Sequence, residues 1–77
     1  MSGERVTVRV DFYPTGDILP LGITNAEGNS QFIDKVVRVE KLTKNKEIKY
    51  YCLSNDAPIV LVYRMGIWYK EKMSPNL

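Results

Sequence analysis

The chain has 77 residues, of which 44% are hydrophobic and 26% are charged, and its formal net charge is +2. These values are typical of one globular domain and exclude a disordered or a membrane-embedded protein. The single cysteine, Cys52, excludes an internal disulfide framework, and the lack of histidine excludes the Cys/His patterns that bind zinc. No apolar run approaches the roughly 18 residues of a membrane-spanning helix, and no secretory signal is recognisable, so we predict a soluble cytoplasmic protein without a membrane partner.

The first predicted element is a β-strand over residues 5–12. Hydrophobic side chains alternate there with polar ones, and the hydrophobic set shares one face: Val6, Val8, Val10 and Phe12. Such alternation is typical of a half-buried strand. Residues 13–16 then predict a type I turn, because Pro14 and Gly16 occupy its second and fourth positions.

A second strand is predicted over residues 18–24. Three of its hydrophobic side chains are expected on one face: Leu19, Leu21 and Ile23. Pro20 has no backbone N–H to donate, so this strand belongs at a sheet edge or contains a bulge. Loop-forming residues at 25–30 end it.

The third element, over residues 31–41, is predicted to be irregular. Val37 and Val39 define an inward face, and the same phase would bury Lys35. A bulge near Lys35 and Val36, or a strand that bends from one layer to another, removes this conflict. A helix is the competing interpretation, which the β-branched valines disfavour.

Three more strands are predicted in the second half of the chain, over residues 48–53, 59–63 and 67–70. In the first of them, one face carries Ile48, Tyr50 and Cys52, and the other carries Lys49, Tyr51 and Leu53. The last two strands predict an antiparallel hairpin. If residues 64–66 form a three-residue loop with a left-handed Gly66, Tyr63 pairs with Ile67.

Together these elements predict an all-β fold over residues 1–77. Both faces of the last hairpin carry large apolar groups, which is typical of small barrels and sandwiches. We interpret Trp68 as part of the core, because a small domain needs large apolar side chains there; the alternative is a contact surface formed with Tyr69. We therefore expect a small antiparallel barrel or sandwich of about five or six strands. The ordered core is expected over about residues 4–72, with a flexible tail at 73–77.

The sequence predicts no catalytic, cofactor or metal site. Cys52 has no histidine to act as its base, and it shares the inward face of Tyr50, so we interpret it as a buried structural thiol. Asp11 and Asp17 flank one turn and are the candidate carboxylate pair, although solvation of a turn accounts for them equally. We therefore predict that the protein is not an enzyme.

The basic hairpin, residues 35–49, carries six cationic side chains against two glutamates, a local charge of +4. A polyanion partner is one explanation, and solubility of a surface hairpin is the other. The candidate nucleic-acid-binding residues are Arg38, Lys41, Lys46, Lys49 and Tyr51. Tyr51 is expected on the outer face, as a platform for a base or as a packing partner across strands.

Five segments of the chain resemble a family of small all-β bacterial proteins of unknown function, found in clostridia and related Gram-positive lineages. These segments are VRVDF at 8–12, GDILPL at 16–21, IDKV at 33–36, YYCL at 50–53 and GIWYKE at 66–71. The resemblance extends roughly from Val6 to Lys72 and implies a compact β domain. It does not indicate an activity, a cofactor or functional residues. Ile67 follows Gly66 where the family pattern has arginine, so the tip of this hairpin is expected to differ.

These observations predict a non-enzymatic binding or protein-interaction module. Its partner is expected to be another protein or a second copy of the chain, which meets an uncovered strand edge. The alternative is single-stranded nucleic-acid binding through the basic hairpin.

Overall fold

The computed structural model describes residues 3–71, which are built from seven β-strands and their connections. In chain order the strands are β1 (Gly3–Phe12), β2 (Ile18–Thr24), β3 (Ser30–Phe32), β4 (Lys35–Leu42), β5 (Glu47–Ser54), β6 (Ala57–Arg64) and β7 (Ile67–Glu71). They form one antiparallel sheet in the order β3-β2-β1-β7-β6-β5-β4, which confirms the predicted all-β class. Within residues 3–71 no helix is long and apolar enough to cross a membrane.

The sheet curls into a half-barrel because its two outermost strands, β3 and β4, are consecutive in the chain. Ile33 and Asp34 link them. The N–H of Ile33 donates to the carbonyl of Leu21 on β2, and the N–H of Asp34 donates to the carbonyl of Leu53 on β5, each at 2.8 Å. Residues 30–42 therefore act as one bent segment that joins the two ends of the sheet, which is the bend that the sequence predicted around Lys35.

β1 also contributes to two parts of the half-barrel. Residues 3–6 pair with β7, and residues 7–12 pair with β2. The change of partner lets one long strand continue around the curve of the sheet. Phe12, at its end, follows the predicted alternation but is exposed to solvent.

The core lies on the concave face of the sheet. Its buried side chains come from five strands: Val6, Ile23, Tyr50, Cys52, Ile59, Leu61 and Trp68. The ring of Trp68 contacts two tyrosines, with centroid distances of 5.3 Å to Tyr50 and 4.8 Å to Tyr63. The predicted inward positions of Tyr50, Cys52 and Trp68 are confirmed.

Three predicted inward positions, those of Leu19, Leu21 and Val37, are wrong, and a bulge explains each of them. The pairing of β1 with β2 shifts between Arg9 and Val10, so Pro20 is buried while Leu21 is 41% exposed. The pairing of β4 with β5 shifts between Val36 and Arg38, which leaves Val37 58% exposed. A bulge reverses the alternation of inward and outward side chains on one side of it, so Ile18 rather than Leu19 contacts the core.

The predicted three-residue loop between β6 and β7 is also wrong. Arg64 pairs with Ile67 and Tyr63 with Trp68, so the loop has only Met65 and Gly66. Both residues have positive φ, 52° and 81°, as a type I′ turn requires. The turn at residues 13–16 is confirmed by a 2.8 Å hydrogen bond from the N–H of Gly16 to the carbonyl of Tyr13. The tail predicted at 73–77 lies outside the described residues.

Candidate functional site

The half-barrel is open between β2 and β4. β2 pairs with β3 only through residues 22–24, and β4 pairs with β5 on one side. Within residues 3–71, residues 18–20 of β2 therefore have no strand partner on one side. The same is true of the edge of β4 that faces away from β5. The two strands meet at the Ile33–Asp34 link and leave a groove between them, which we call the seam groove.

The seam groove consists of two adjoining cavities of about 390 Å³ and 720 Å³. Both are lined by Tyr13, Leu19 and Val39, so they are continuous. The first cavity lies beside the link and is also lined by Pro20, Leu21, Ile33, Asp34, Val36, Val37 and Arg38. The second lies at the opposite end and is also lined by Gly16, Asp17, Ile18, Lys41, Ile48 and Tyr50.

Exposed hydrophobic side chains are concentrated at the seam groove. Of the seven large hydrophobic side chains that are exposed within residues 3–71, four line it: Tyr13, Leu21, Val37 and Val39. Its floor includes Ile48 and the buried Tyr50, so the groove reaches the core. Exposed hydrophobic side chains beside an unpaired strand edge are typical of a surface that contacts another chain.

Each end of the seam groove carries one acidic and one basic side chain. Asp34 and Arg38 lie at the link, where the Asp34 carboxylate accepts a 2.6 Å hydrogen bond from the N–H of Asn55. Asp17 and Lys41 lie at the other end, where the hydroxyl of Thr15 donates to Asp17 at 2.9 Å. Most of the side chains along the groove are hydrophobic, and the paired charges at its ends leave it without a dominant charge.

The residues predicted to bind nucleic acid do not form one surface. Arg38, Lys49 and Tyr51 lie on the outer face of the sheet, where Arg38 pairs with Tyr51 across the strands. Lys41 lies opposite Ile48 on the inner face and lines the seam groove. Lys46 lies in the turn between β4 and β5, with a φ of 54°.

The cations on the outer face are compensated by neighbouring carboxylates. Arg38 contacts Glu40 at 3.2 Å, and Lys49 contacts Glu71 at 3.3 Å. The hydroxyl of Tyr51 donates to Glu40 at 2.9 Å, and this hydrogen bond raises the pKa of the Tyr51 phenol. The hydrogen bond with Glu71 raises the pKa of Lys49 in the same way. The guanidinium of Arg38 lies 4.9 Å from the centroid of the Tyr51 ring, so one face of this ring is covered.

The residues considered for catalysis occupy different parts of the sheet. Cys52 is buried, burial raises the pKa of its thiol to about 11, and its Sγ donates to the carbonyl of Tyr50 at 3.5 Å. Asp11 lies on the outer face of β1 opposite Leu19, and Asp17 lies in the loop before β2. Across residues 3–71, no three His, Cys, Asp or Glu side chains are grouped so that they could hold a metal ion.

No pattern in the sequence predicted the seam groove. The alternation predicts inward positions for Leu21, Val37 and Val39, but all three are exposed to solvent. Bulges displace Leu21 and Val37, whereas Val39 faces inward at the open edge of β4. The signals for this were Pro20, which marked β2 as an edge strand, and the conflict at Lys35, which called for a bulge or a bend.

Comparison of the chain with protein-family models, with curated proteins and with solved structures found no match. The fold itself therefore defines the class, a small antiparallel half-barrel with an open seam. The resemblance to a Gram-positive protein family stays a prediction.

Proposed function

We propose that this protein is a non-enzymatic protein-interaction module whose seam groove binds an extended segment of a partner protein as an added β-strand. The observation that carries the proposal is the apolar groove between the unpaired edges of β2 and β4. An unpaired edge presents backbone N–H and C=O groups, and an added strand pairs with them while its side chains fill the pockets beside the edge.

The groove also indicates which segment fits. β4 offers residues 36–41 along the seam, a length of about 20 Å at about 3.3 Å per residue. Because side chains alternate along a strand, every second side chain of the segment would face Ile48 and Tyr50 on the floor. The expected ligand is therefore a segment of about six residues with hydrophobic side chains at alternate positions.

Three features favour a partner segment over a second copy of the chain. Pro20 offers no N–H along β2, a bulge interrupts β4 at Val37, and Lys41 is a charged residue on the inner face of an edge strand. Features of these kinds discourage regular edge-to-edge pairing between identical sheets. A separate peptide can adapt its backbone to the bulge because it is not part of a sheet.

The geometry gives less support to nucleic-acid binding through the basic hairpin, because Glu40 and Glu71 neutralise Arg38 and Lys49. We place the module in the cytoplasm, since its one buried thiol has no partner cysteine and the fold needs no oxidising compartment.

The first experiment selects peptides from a random display library with the wild-type protein as bait. Val37→Asp places a charge on an exposed side chain of the groove, and Met65→Asp places the same charge on the tip of the β6–β7 hairpin. Loss of one buried hydrophobic contact costs about 1.5 kcal/mol or more, so V37D is expected to weaken binding at least about tenfold. M65D is expected to leave binding unchanged.

The second experiment tests whether the selected peptide binds as a strand. We expect amide chemical shifts of residues 18–21 and 36–41 to change on binding, and we expect N-methylation of the central peptide amides to abolish it, because a methylated amide cannot donate to a strand edge. Equal affinity for wild type and V37D would refute the proposal. A concentration-dependent dimer that V37D dissociates would show instead that a second copy occupies the seam groove.

A further inference from the structure

A second pocket lies on the outer face of the half-barrel, away from the seam groove. The register of β1, β2 and β3 places Phe32, Gly22 and Arg9 in one row across the three strands. Gly22 has no side chain, so a pocket of about 220 Å³ lies over its backbone between Phe32 and Arg9. Phe32 is 74% exposed and therefore does not fold over the glycine. We call this site the Phe32 pocket.

A row of hydroxyl groups forms one rim of the Phe32 pocket. Thr7, Thr24 and Ser30 are aligned across the same three strands, next to the row of Phe32. The hydroxyls of Thr24 and Ser30 are 2.8 Å apart and hydrogen-bond to each other. A hydroxyl both donates and accepts, so this rim can meet either kind of polar group on a ligand. None of the side chains that line the pocket is acidic.

The spacing of the strands suits a flat ligand. Neighbouring strands lie about 4.8 Å apart, so the backbones of β1 and β3 are separated by roughly 10 Å across Gly22. Atoms in contact are about 3.5 to 4 Å apart, so one planar ring fits between an aromatic side chain on one side and a guanidinium group on the other. A side chain at position 22 would occupy this space, and its Cβ would lie 3.3 Å from the carbonyl of Gln31.

We infer that the Phe32 pocket binds one unpaired nucleobase. The base stacks on the ring of Phe32, Arg9 contacts its other face or the adjoining phosphate, and the hydroxyl rim contacts its polar edge. Unpaired bases are bound in this way, on aromatic rings and on the guanidinium planes of arginine. The base must be unpaired because a base pair leaves neither the faces nor the polar edge accessible.

A nucleobase fits this chemistry better than the aromatic side chain of a peptide. Arg9 attracts an anion, and a nucleotide brings a phosphate next to its base. The hydroxyl rim needs polar ring atoms, which bases carry around their edges and phenylalanine lacks. The inference does not depend on the proposed function, because the Phe32 pocket and the seam groove share no lining residue.

The test is a titration of ¹⁵N-labelled protein at low salt with a short oligo(dT), a short oligo(U) and uridine monophosphate. We expect amide shifts at residues 7–9, 22–24 and 30–32. Removing the aromatic side chain on which one base stacks costs about 1 to 3 kcal/mol, so Phe32→Ala should weaken binding about fivefold or more. Phe12→Ala removes another exposed phenylalanine, outside the pocket, and should leave the affinity unchanged.

Two further variants separate stacking from charge. Phe32→Trp keeps a stacking surface and should retain binding, and quenching of its exposed indole by the base would report contact, against the constant emission of the buried Trp68. Arg9→Gln should weaken binding. It should also reduce the slope of the logarithm of affinity against the logarithm of salt concentration by the amount expected for about one phosphate contact. Lys44→Gln removes an exposed cation in the turn of the basic hairpin and serves as the charge-matched control.

Three results would overturn the inference. The first is the absence of shifts with every nucleotide ligand at low salt. The second is binding that shifts the amides of Arg38, Lys49 and Tyr51 and is unaffected by F32A. The third is a stronger response of the pocket amides to N-acetyl-tyrosine amide than to uridine monophosphate, which would assign the pocket to an aromatic side chain of a protein. A larger response to the oligonucleotides than to the mononucleotide would support the inference and identify a single strand as the source of the base.

Discussion

Replacing Ser54 with alanine should destabilise the protein strongly, because this hydroxyl closes one end of the half-barrel. Ser54 is 2% exposed and is the one buried polar side chain within residues 3–71. Its Oγ donates to the carbonyl of Phe32 at 2.6 Å and accepts a hydrogen bond from the side-chain amide of Gln31 at 2.9 Å. The hydroxyl therefore ties the end of β5 to β3, at the place where the bent segment joins the two ends of the sheet.

The expected cost follows from these two hydrogen bonds. Each contributes about 0.5 to 1.5 kcal/mol to stability, and a partner left unsatisfied in the interior costs more. Gln31 is only half-buried, so water can partly replace the hydrogen bond that its side-chain amide loses. We therefore expect S54A to lower the free energy of unfolding by about 2 kcal/mol. For a domain of this size, that loss lowers the Tm by roughly 8 to 16 °C.

Urea denaturation followed by the fluorescence of Trp68, together with a thermal melt, measures this loss. Ser30→Ala is the matched control, because it removes a hydroxyl that is also hydrogen-bonded but lies exposed, and we expect a cost below about 0.5 kcal/mol. A double-mutant cycle of Ser54→Ala with Gln31→Leu should show a coupling above about 0.5 kcal/mol, since the two side chains share one hydrogen bond. A cost for S54A no larger than that for S30A would refute the reasoning.

Four further predictions concern Cys52, the hydrogen bond between Tyr51 and Glu40, and Met65. Burial raises the pKa of the Cys52 thiol to about 11, so a thiol reagent at about pH 8 should react far more slowly with native than with unfolded protein, and equal rates would contradict this. Because the pKa of Cys52 is higher in the folded than in the unfolded protein, the free energy of unfolding should be unaffected by this thiol below pH 9.0 and should fall as the pH rises from 9.0 to about 11. Urea denaturation at several pH values measures this fall. Glu40→Gln removes the charged acceptor of the Tyr51 hydroxyl, so the raised pKa of Tyr51 should fall toward its usual value in an NMR titration of the labelled ring, whereas an unchanged pKa would show that the hydrogen bond is not its cause. Met65→Asn should stabilise the protein by about 0.5 to 1 kcal/mol, because asparagine tolerates the left-handed conformation and Met65 is too exposed to lose packing; a lower Tm would count against the type I′ turn.

The local pattern of the sequence determined the strands and most of the core. Side chains alternate along any strand, so Val6, Tyr50 and Cys52 were assigned to the interior from their neighbours in the chain alone. Trp68 was assigned there because a small barrel needs large apolar groups, and its burial confirms this. The turn at residues 13–16 was equally local, because the preferences of proline and glycine act within four residues.

Only the tertiary structure decided which residues lie at the two candidate sites. A bulge depends on the register with a partner strand, and one extra residue moved Leu21 and Val37 from the core to the surface. The seam groove exists because residues 30–42 bend and leave the edges of β2 and β4 apart, and the Phe32 pocket exists because three strands align Phe32, Gly22 and Arg9. Both arrangements join residues that are distant in the chain, and alternation within one strand carries no information about which strand lies beside it.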